Sequence, residues 1–219
     1  MAITQNTLIG RTSGRVGNAV FSTWKGRNVL KQKAETVANP RTILQQMNRL
    51  RFTTLLNIGK SLQPIITYGF SELKKYTWLN NFMRINSYTD FLTWDDVTQS
   101  WVTNLNNLVL ASGNLFVTPI LDSGVNDNGD GTSTLGITIA PGVTANQNTQ
   151  DRAFVLVTSA NGMFQTMQLG EQTRGDSAPL GSLNVLLPFV PTEDIYTYLF
   201  FISPDNKIVS NSVVHHLEI

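Results

Sequence analysis

The chain contains no cysteine, which excludes disulfides, thiolate metal sites and a cysteine nucleophile. It has two histidines, His215 and His216, adjacent in sequence. On an extended segment neighbours point to opposite faces, so this pair cannot form a metal site alone. No Gly-x-Ser-x-Gly elbow and no His-Glu-x-x-His pair occurs. Charge is scarce as well, at 14% of 219 residues, against about 25% in average proteins. Asn, Gln, Ser and Thr stand in for it, giving a surface that does not strongly repel copies of itself. No run reaches the roughly 18 apolar residues of a membrane helix. The opening MAITQNTLIGRTSG lacks the charged-then-apolar order of a secretory signal. The expectation is a soluble protein made in a reducing cytoplasm, with no enzymatic activity and no cofactor.

What is present is divided by charge. Residues 1–84 hold thirteen Lys or Arg against two acids, a net of +11, whereas residues 85–219 hold three bases against thirteen acids, a net of −10. Three readings are open: attraction between the basic part of one copy and the acidic part of another, a basic face toward nucleic acid, or neutralisation within one chain.

Other motifs carry less chemistry. Gly10, Gly14 and Gly17 suggest a phosphate-cradling loop, but Asn18-Ala19 follows where a P-loop needs Lys and Ser or Thr, so tight turns explain the glycines better. Asn126–Gly131 resembles the start of a calcium loop, yet its twelfth position is Ile137 and not the Glu that closes the cage. A polar hairpin turn is the simpler reading. Asp95-Asp96 and Glu193-Asp194 read as solvated pairs.

The apolar pattern changes period along the chain. Residues 8–33 read as a β-hairpin or small meander, with Val16–Trp24 as a β-prone run and Lys25-Gly26 as its turn. Asn39-Pro40 suits a helix start, and Ile43 to Ile58 repeat at three- and four-residue steps, with Gly59 expected to end the helix. Further helices are expected from Pro64 to Lys75 and over about Thr77–Asn86. Residues 88–104 read as an aromatic-rich connection. From Asn106 the period becomes two, with strands expected at 106–111, 115–121, 134–140, 153–159, 163–169, 184–189, 195–202 and 207–217 and a turn over Asp122–Gly131. The fold class is therefore α+β: an N-terminal β-hairpin plus helices (1–104), then an immunoglobulin-like antiparallel sandwich (105–219). Ile195–Ile202 is apolar on both faces, so its outer face must be covered by another molecule or by the chain's own helices.

Two segments carry a resemblance. Gly14–Lys31, followed by Asn39–Thr42 and by Gln45, Gln46, Arg49 and Phe52, is the first; Phe201–Val213 is the second. Together they resemble an uncharacterised family of similar length found in gut-type bacteria and in tailed phages, including crAss-like phages. The resemblance brings no catalytic residue. Its phage members imply a virion structural protein, assembled in the host cytoplasm into a multimeric ring of the neck or tail. Its partners would be copies of itself and other virion proteins, with DNA as a nonspecific neighbour and no membrane. The expected assembly contacts are Arg11, Arg15, Trp24, Lys25, Arg27, Lys31, Lys33, Arg41, Arg49 and Arg51. The sandwich would offer its edges for strand addition. The alternative is an immunoglobulin-like module that binds a glycan or cell-surface partner through Trp94 and Trp101.

Overall fold

The computed structural model describes residues 2–4, 13–36, 41–140, 149–161, 165–174 and 182–219. They build an α+β fold that clusters into two compact units, Met1–Ile43 and Leu44–Ile219. The boundary expected at 104/105 lies inside the second unit, because the helices before it share a core with the strands after it.

The first unit is an antiparallel sheet of β1 (Ala2–Thr4), β2 (Gly14–Val16), β3 (Ala19–Trp24) and β4 (Arg27–Gln32), in the order β1-β4-β3-β2. Lys25 and Gly26, at φ 47° and 78°, join β3 to β4. Two consecutive positive φ values match the right-handed strand twist in a two-residue hairpin. The expected Asn39-Pro40 helix start lies outside the described residues.

Helices α1 (Ile43–Ser61), α2 (Gln63–Gly69) and α3 (Trp78–Asn86) follow, the second unit starting at the second residue of α1. Gly59 does not end α1. It lies within the helix, where an added Cβ would sit 2.7 Å from Leu79 and 3.0 Å from Phe82 of α3, so glycine permits the close approach. Pro64 occupies the first turn of α2, which stops at Gly69 and not at Lys75. A Cβ at Gly69 would fall 2.1 Å from the Leu110 carbonyl oxygen. Thr77 caps α3 by accepting a hydrogen bond from the Asn80 N–H at 3.3 Å.

Residues 88–104 are more regular than the sequence suggests. They hold a hairpin of β5 (Leu92–Asp95) and β6 (Ser100–Thr103), with Trp94 opposite Trp101. Residues 106–111 form no strand: Leu105–Asn107 is a single 3-10 turn, and the segment after it is held by side chains. Asn86 donates to the Val109 carbonyl at 2.8 Å and accepts from its N–H at 2.8 Å, while the Ser212 hydroxyl accepts from Leu110 N–H. The Glu72 carboxylate accepts from the N–H groups of Asn114 and Val209.

The sandwich consists of β7 (Ile120–Asp127), β8 (Ser133–Ile139), β9 (Arg152–Ser159), β10 (Gln165–Thr173), β11 (Ser182–Leu187), β12 (Ile195–Ile202) and β13 (Val213–Leu217). Sheets β11-β8-β7 and β10-β9-β12-β13 face each other across a shared apolar core. Strand β7 begins five residues later than the expected 115 and runs through the expected Asp122–Gly131 turn as far as Asp127. Leu135 and Ile137 of β8 meet Leu199 and Phe201 of β12 in this core. The outer face of β9 and β12 is covered by the chain's own helices: Phe154, Tyr198 and Phe200 share a cluster with Ile65, Ile66, Phe70 and Phe82. That accounts for the two-sided apolar pattern of Ile195–Ile202 without a foreign molecule.

Candidate interaction surface

Cross-strand partners in an antiparallel sheet share a face, and neighbours along a strand alternate. In the N-terminal sheet Arg15 pairs with Val20, which pairs with Lys31, and Trp24 pairs with Arg27. One face therefore carries Arg15, Lys31 and Arg27 together with Val20, Ser22, Trp24 and Val29. The other carries Phe21 and Leu30 among Val16, Ala19, Thr23, Asn28 and Gln32. Trp24 is 61% exposed, and the Lys25 ammonium lies 4.9 Å from its ring centroid. The Arg15 guanidinium donates to the Gly17 carbonyl at 2.9 Å, which steadies the β2–β3 turn. Among the described residues 13–36 only Val29 is buried.

The expected contact residues thus separate into groups. Arg15, Trp24, Lys25, Arg27, Lys31 and Lys33 are exposed in the first unit, and Arg41 is exposed just ahead of α1 with φ 46°. Arg49 is exposed on α1. Arg51 is engaged inside the second unit: it donates to the Ser87 carbonyl at the end of α3 and lies 5.2 Å from the Trp101 ring centroid. Arg11 lies outside the described residues. The sequence reading missed that the front of α1 exposes Ile43, Leu44, Leu50 and Phe52, while its buried residues are Leu55 and Gly59. A helical apolar period looks the same whether or not anything covers it.

The other candidate sites have internal uses. Trp94 donates to Asp96 at 2.9 Å and Trp101 to the Met47 carbonyl at 2.9 Å, and the two rings meet edge to face. His215 bonds Ser123 at 3.0 Å, whereas His216 stacks on Tyr196 and lies 3.4 Å from Asp194. In the Asn126–Gly131 segment Asp127 accepts from Gly129 N–H and Asp130 from Thr132, so both carboxylates brace their own turn. Among the described residues no group of three or more His, Asp or Glu is placed to hold a metal ion.

The sandwich edges are not open for strand addition at two seams. On β10 the pairing register shifts between Leu169 and Gln172, around Gly170 at φ 74°. Beyond this bulge the Gln172 side chain donates to the Asn184 carbonyl at 2.6 Å and accepts from its N–H at 3.1 Å. It occupies both ladder groups that β11 would offer a visiting strand there. On the other side, the Ser123–His215 bond ties β7 to β13.

A family model matches residues 11–215, and its description is a family of unknown function (DUF6266). No curated protein and no solved structure matches the chain.

Proposed function

The chain belongs to the DUF6266 family of unknown function, and we propose that it is a non-enzymatic assembly protein, a structural component of a tailed-phage virion that forms a multimeric ring in the neck or tail. The N-terminal sheet is its docking element and the sandwich is the rigid body that carries it. One observation supports this above all: the described residues 13–36 of the first unit form a sheet with little buried apolar surface. A sheet gains its stability by burying a face, yet here Val16 and Trp24 are 71% and 61% exposed and Val29 is the one buried side chain among residues 13–36. Arginines and a tryptophan on one such face match the composition of interface centres. The virion setting comes from the resemblance of Gly14–Lys31, Asn39–Thr42 and Phe201–Val213 to a family of gut-type bacteria and tailed phages, through its phage members. The glycan-binding alternative is weakened because the Trp94 and Trp101 rings pack edge to face and Arg51 lies over the Trp101 ring, which takes up ring faces a sugar would stack on.

The genes that flank this one, and mass spectrometry and imaging of phage particles purified from a host that carries it, test the proposal. The expected result is a fixed number of copies per particle, located at the neck or tail. Particles that lack the chain would refute it.

A further inference from the structure

We infer that the basic face of the N-terminal sheet binds the acidic end of the sandwich in a second copy of this chain. The inference rests on the assembly reading above and adds which surface meets which.

The acidic end follows from the strand register. Ser133 pairs with both Asp127 and Leu187, so the β7–β8 turn and the end of β11 lie together. Ile195 pairs with both Ser159 and Leu217, so the start of β12, the end of β9 and the chain's last residues lie together. The short segment 188–194 joins β11 to β12, which puts both groups at one end of the sandwich. The Ser133 hydroxyl bonds the Phe189 carbonyl at 2.7 Å, and Ala160 N–H bonds the Asp194 carbonyl at 2.9 Å. Asp127, Asp130, Glu193, Asp194 and Glu218 gather there, and no Lys or Arg stands among the described residues of these loops. His216 lies 3.4 Å from Asp194. Four of the five carboxylates are exposed and Asp194 is half-exposed. Asp127 and Asp130 accept from turn N–H groups and Glu193 from Asn161, which positions these three exposed carboxylates.

Against this stand Arg15, Arg27 and Lys31 in register on one sheet face, with Lys25 and Trp24 at its turn. Opposite potentials on two faces favour mutual docking, and like faces repel, which disfavours sheet-to-sheet and end-to-end pairing. A contact between two different surfaces of one chain is head-to-tail, and it closes into a ring when the rotation per copy divides a full turn. DNA could also attract the sheet, but it would leave the acidic end without a role.

The test uses sedimentation velocity of the full chain and two surface variants, with circular dichroism confirming their folds. Arg15→Glu/Arg27→Glu/Lys31→Glu reverses the sheet, and Asp127→Lys/Glu193→Lys/Glu218→Lys reverses the sandwich end. The parent chain should associate, and association should weaken at least about tenfold when salt is raised well above 0.1 M, where the screening length is about 10 Å. Each variant alone should associate at least about tenfold more weakly than the parent, and an equimolar mixture of the two should recover association because every junction is again between opposite signs. A parent oligomer indifferent to both reversals overturns this inference and leaves the assembly reading standing. Association that only the sheet reversal abolishes, and that nuclease treatment also removes, assigns the sheet to nucleic acid and overturns it too. A chain monomeric at every salt concentration overturns this inference, whereas the virion reading falls only if particles lack the chain.

Discussion

Strand β9 in the second unit buries seven consecutive residues, Ala153–Ser159, because one face meets the opposing sheet and the other meets helices. Strand β3 in the first unit, with Ala19, Val20, Phe21 and Trp24, buries none. Both are β-prone apolar runs, so propensity does not separate them. What separates them, among the described residues, is that apolar clusters lie on both faces of β9 and include no residue of β3. The second unit carries its own stability in two apolar clusters. Among the described residues 13–36 of the first unit, Val16, Trp24 and the basic side chains are exposed, while Val29 is buried.

The largest expected effect tests that contrast directly. Phe200 is fully buried and stacks on Phe154 with ring centroids 5.3 Å apart. Phe200→Ala should cost about 3–5 kcal/mol, from lost transfer energy and the cavity left behind. Trp24→Ala, at an exposed site, should stay within about 0.5 kcal/mol. Urea unfolding of the full chain measures both. Equal losses would mean that the first unit is packed in solution in a way its exposure does not show.

A second large effect sharpens the account of the second unit. Arg174 and Asp151 form a buried ion pair at 3.2 Å, and Arg174 also donates to the Phe116 carbonyl at 3.1 Å. Burial pushes the Arg174 guanidinium below its usual range, and the Asp151 charge opposes that shift. Asp151→Ala leaves the guanidinium buried without its counter-charge, which should cost about 3 kcal/mol by thermal or urea unfolding. A loss below about 1 kcal/mol would place this pair in water, as with ordinary surface pairs.

The two units also differed in how well the sequence announced them. The alternating period found six of the seven sandwich strands to within a few residues, 207–217 beginning early, because one buried face imposes it. It failed at 106–111, where Asn86 and Ser212 hold an extended segment that no strand pairs. It failed again at Gly59, whose reason is a neighbouring helix and not a chain end. The basic face of the first sheet was legible because interleaved charges on a strand must share a face. The internal partners of Arg51, Ser87 and Trp101, were not legible because they are distant in sequence. The acidic end was invisible until the register showed that Asp127 and Glu193 lie at the same end of the sandwich.

The hairpin turns allow a smaller comparison. Lys25 holds φ 47° in the first unit, a conformation that strains a residue with a long side chain. Asn-Gly is the preferred pair for such a turn, so Lys25→Asn should stabilise the β3–β4 hairpin by about 0.5–1 kcal/mol. Slower hydrogen exchange at β3 and β4 amides, with the sandwich amides unchanged, is the expected readout. A slowing shared by both units would mean that they unfold together.

The corresponding turn of the second unit, between β12 and β13, is already optimised, and its expected response is the smallest. Asn206 takes the left-handed position at φ 58°. The Asp205 carboxylate accepts from the Ser203 hydroxyl at 2.6 Å and from Lys207 N–H at 3.2 Å. These bonds, Ser203 first, hold the Asp205 pKa down to about 2. A carboxylate whose pKa is lowered by folding contributes stability that is complete above the ordinary value of 3.8 and is lost as pH falls through about 2. Ser203→Ala removes the strongest of these bonds, so the Asp205 midpoint should rise toward 3.8 in a carboxyl-detected NMR titration. The Lys207 ammonium, 3.1 Å away but exposed, should hold part of the shift. A midpoint unmoved by the substitution would show that the hydroxyl does not bond the carboxylate in solution. The turn would then owe its shape to Pro204 and Asn206, much as the first unit's turn owes its own to Gly26.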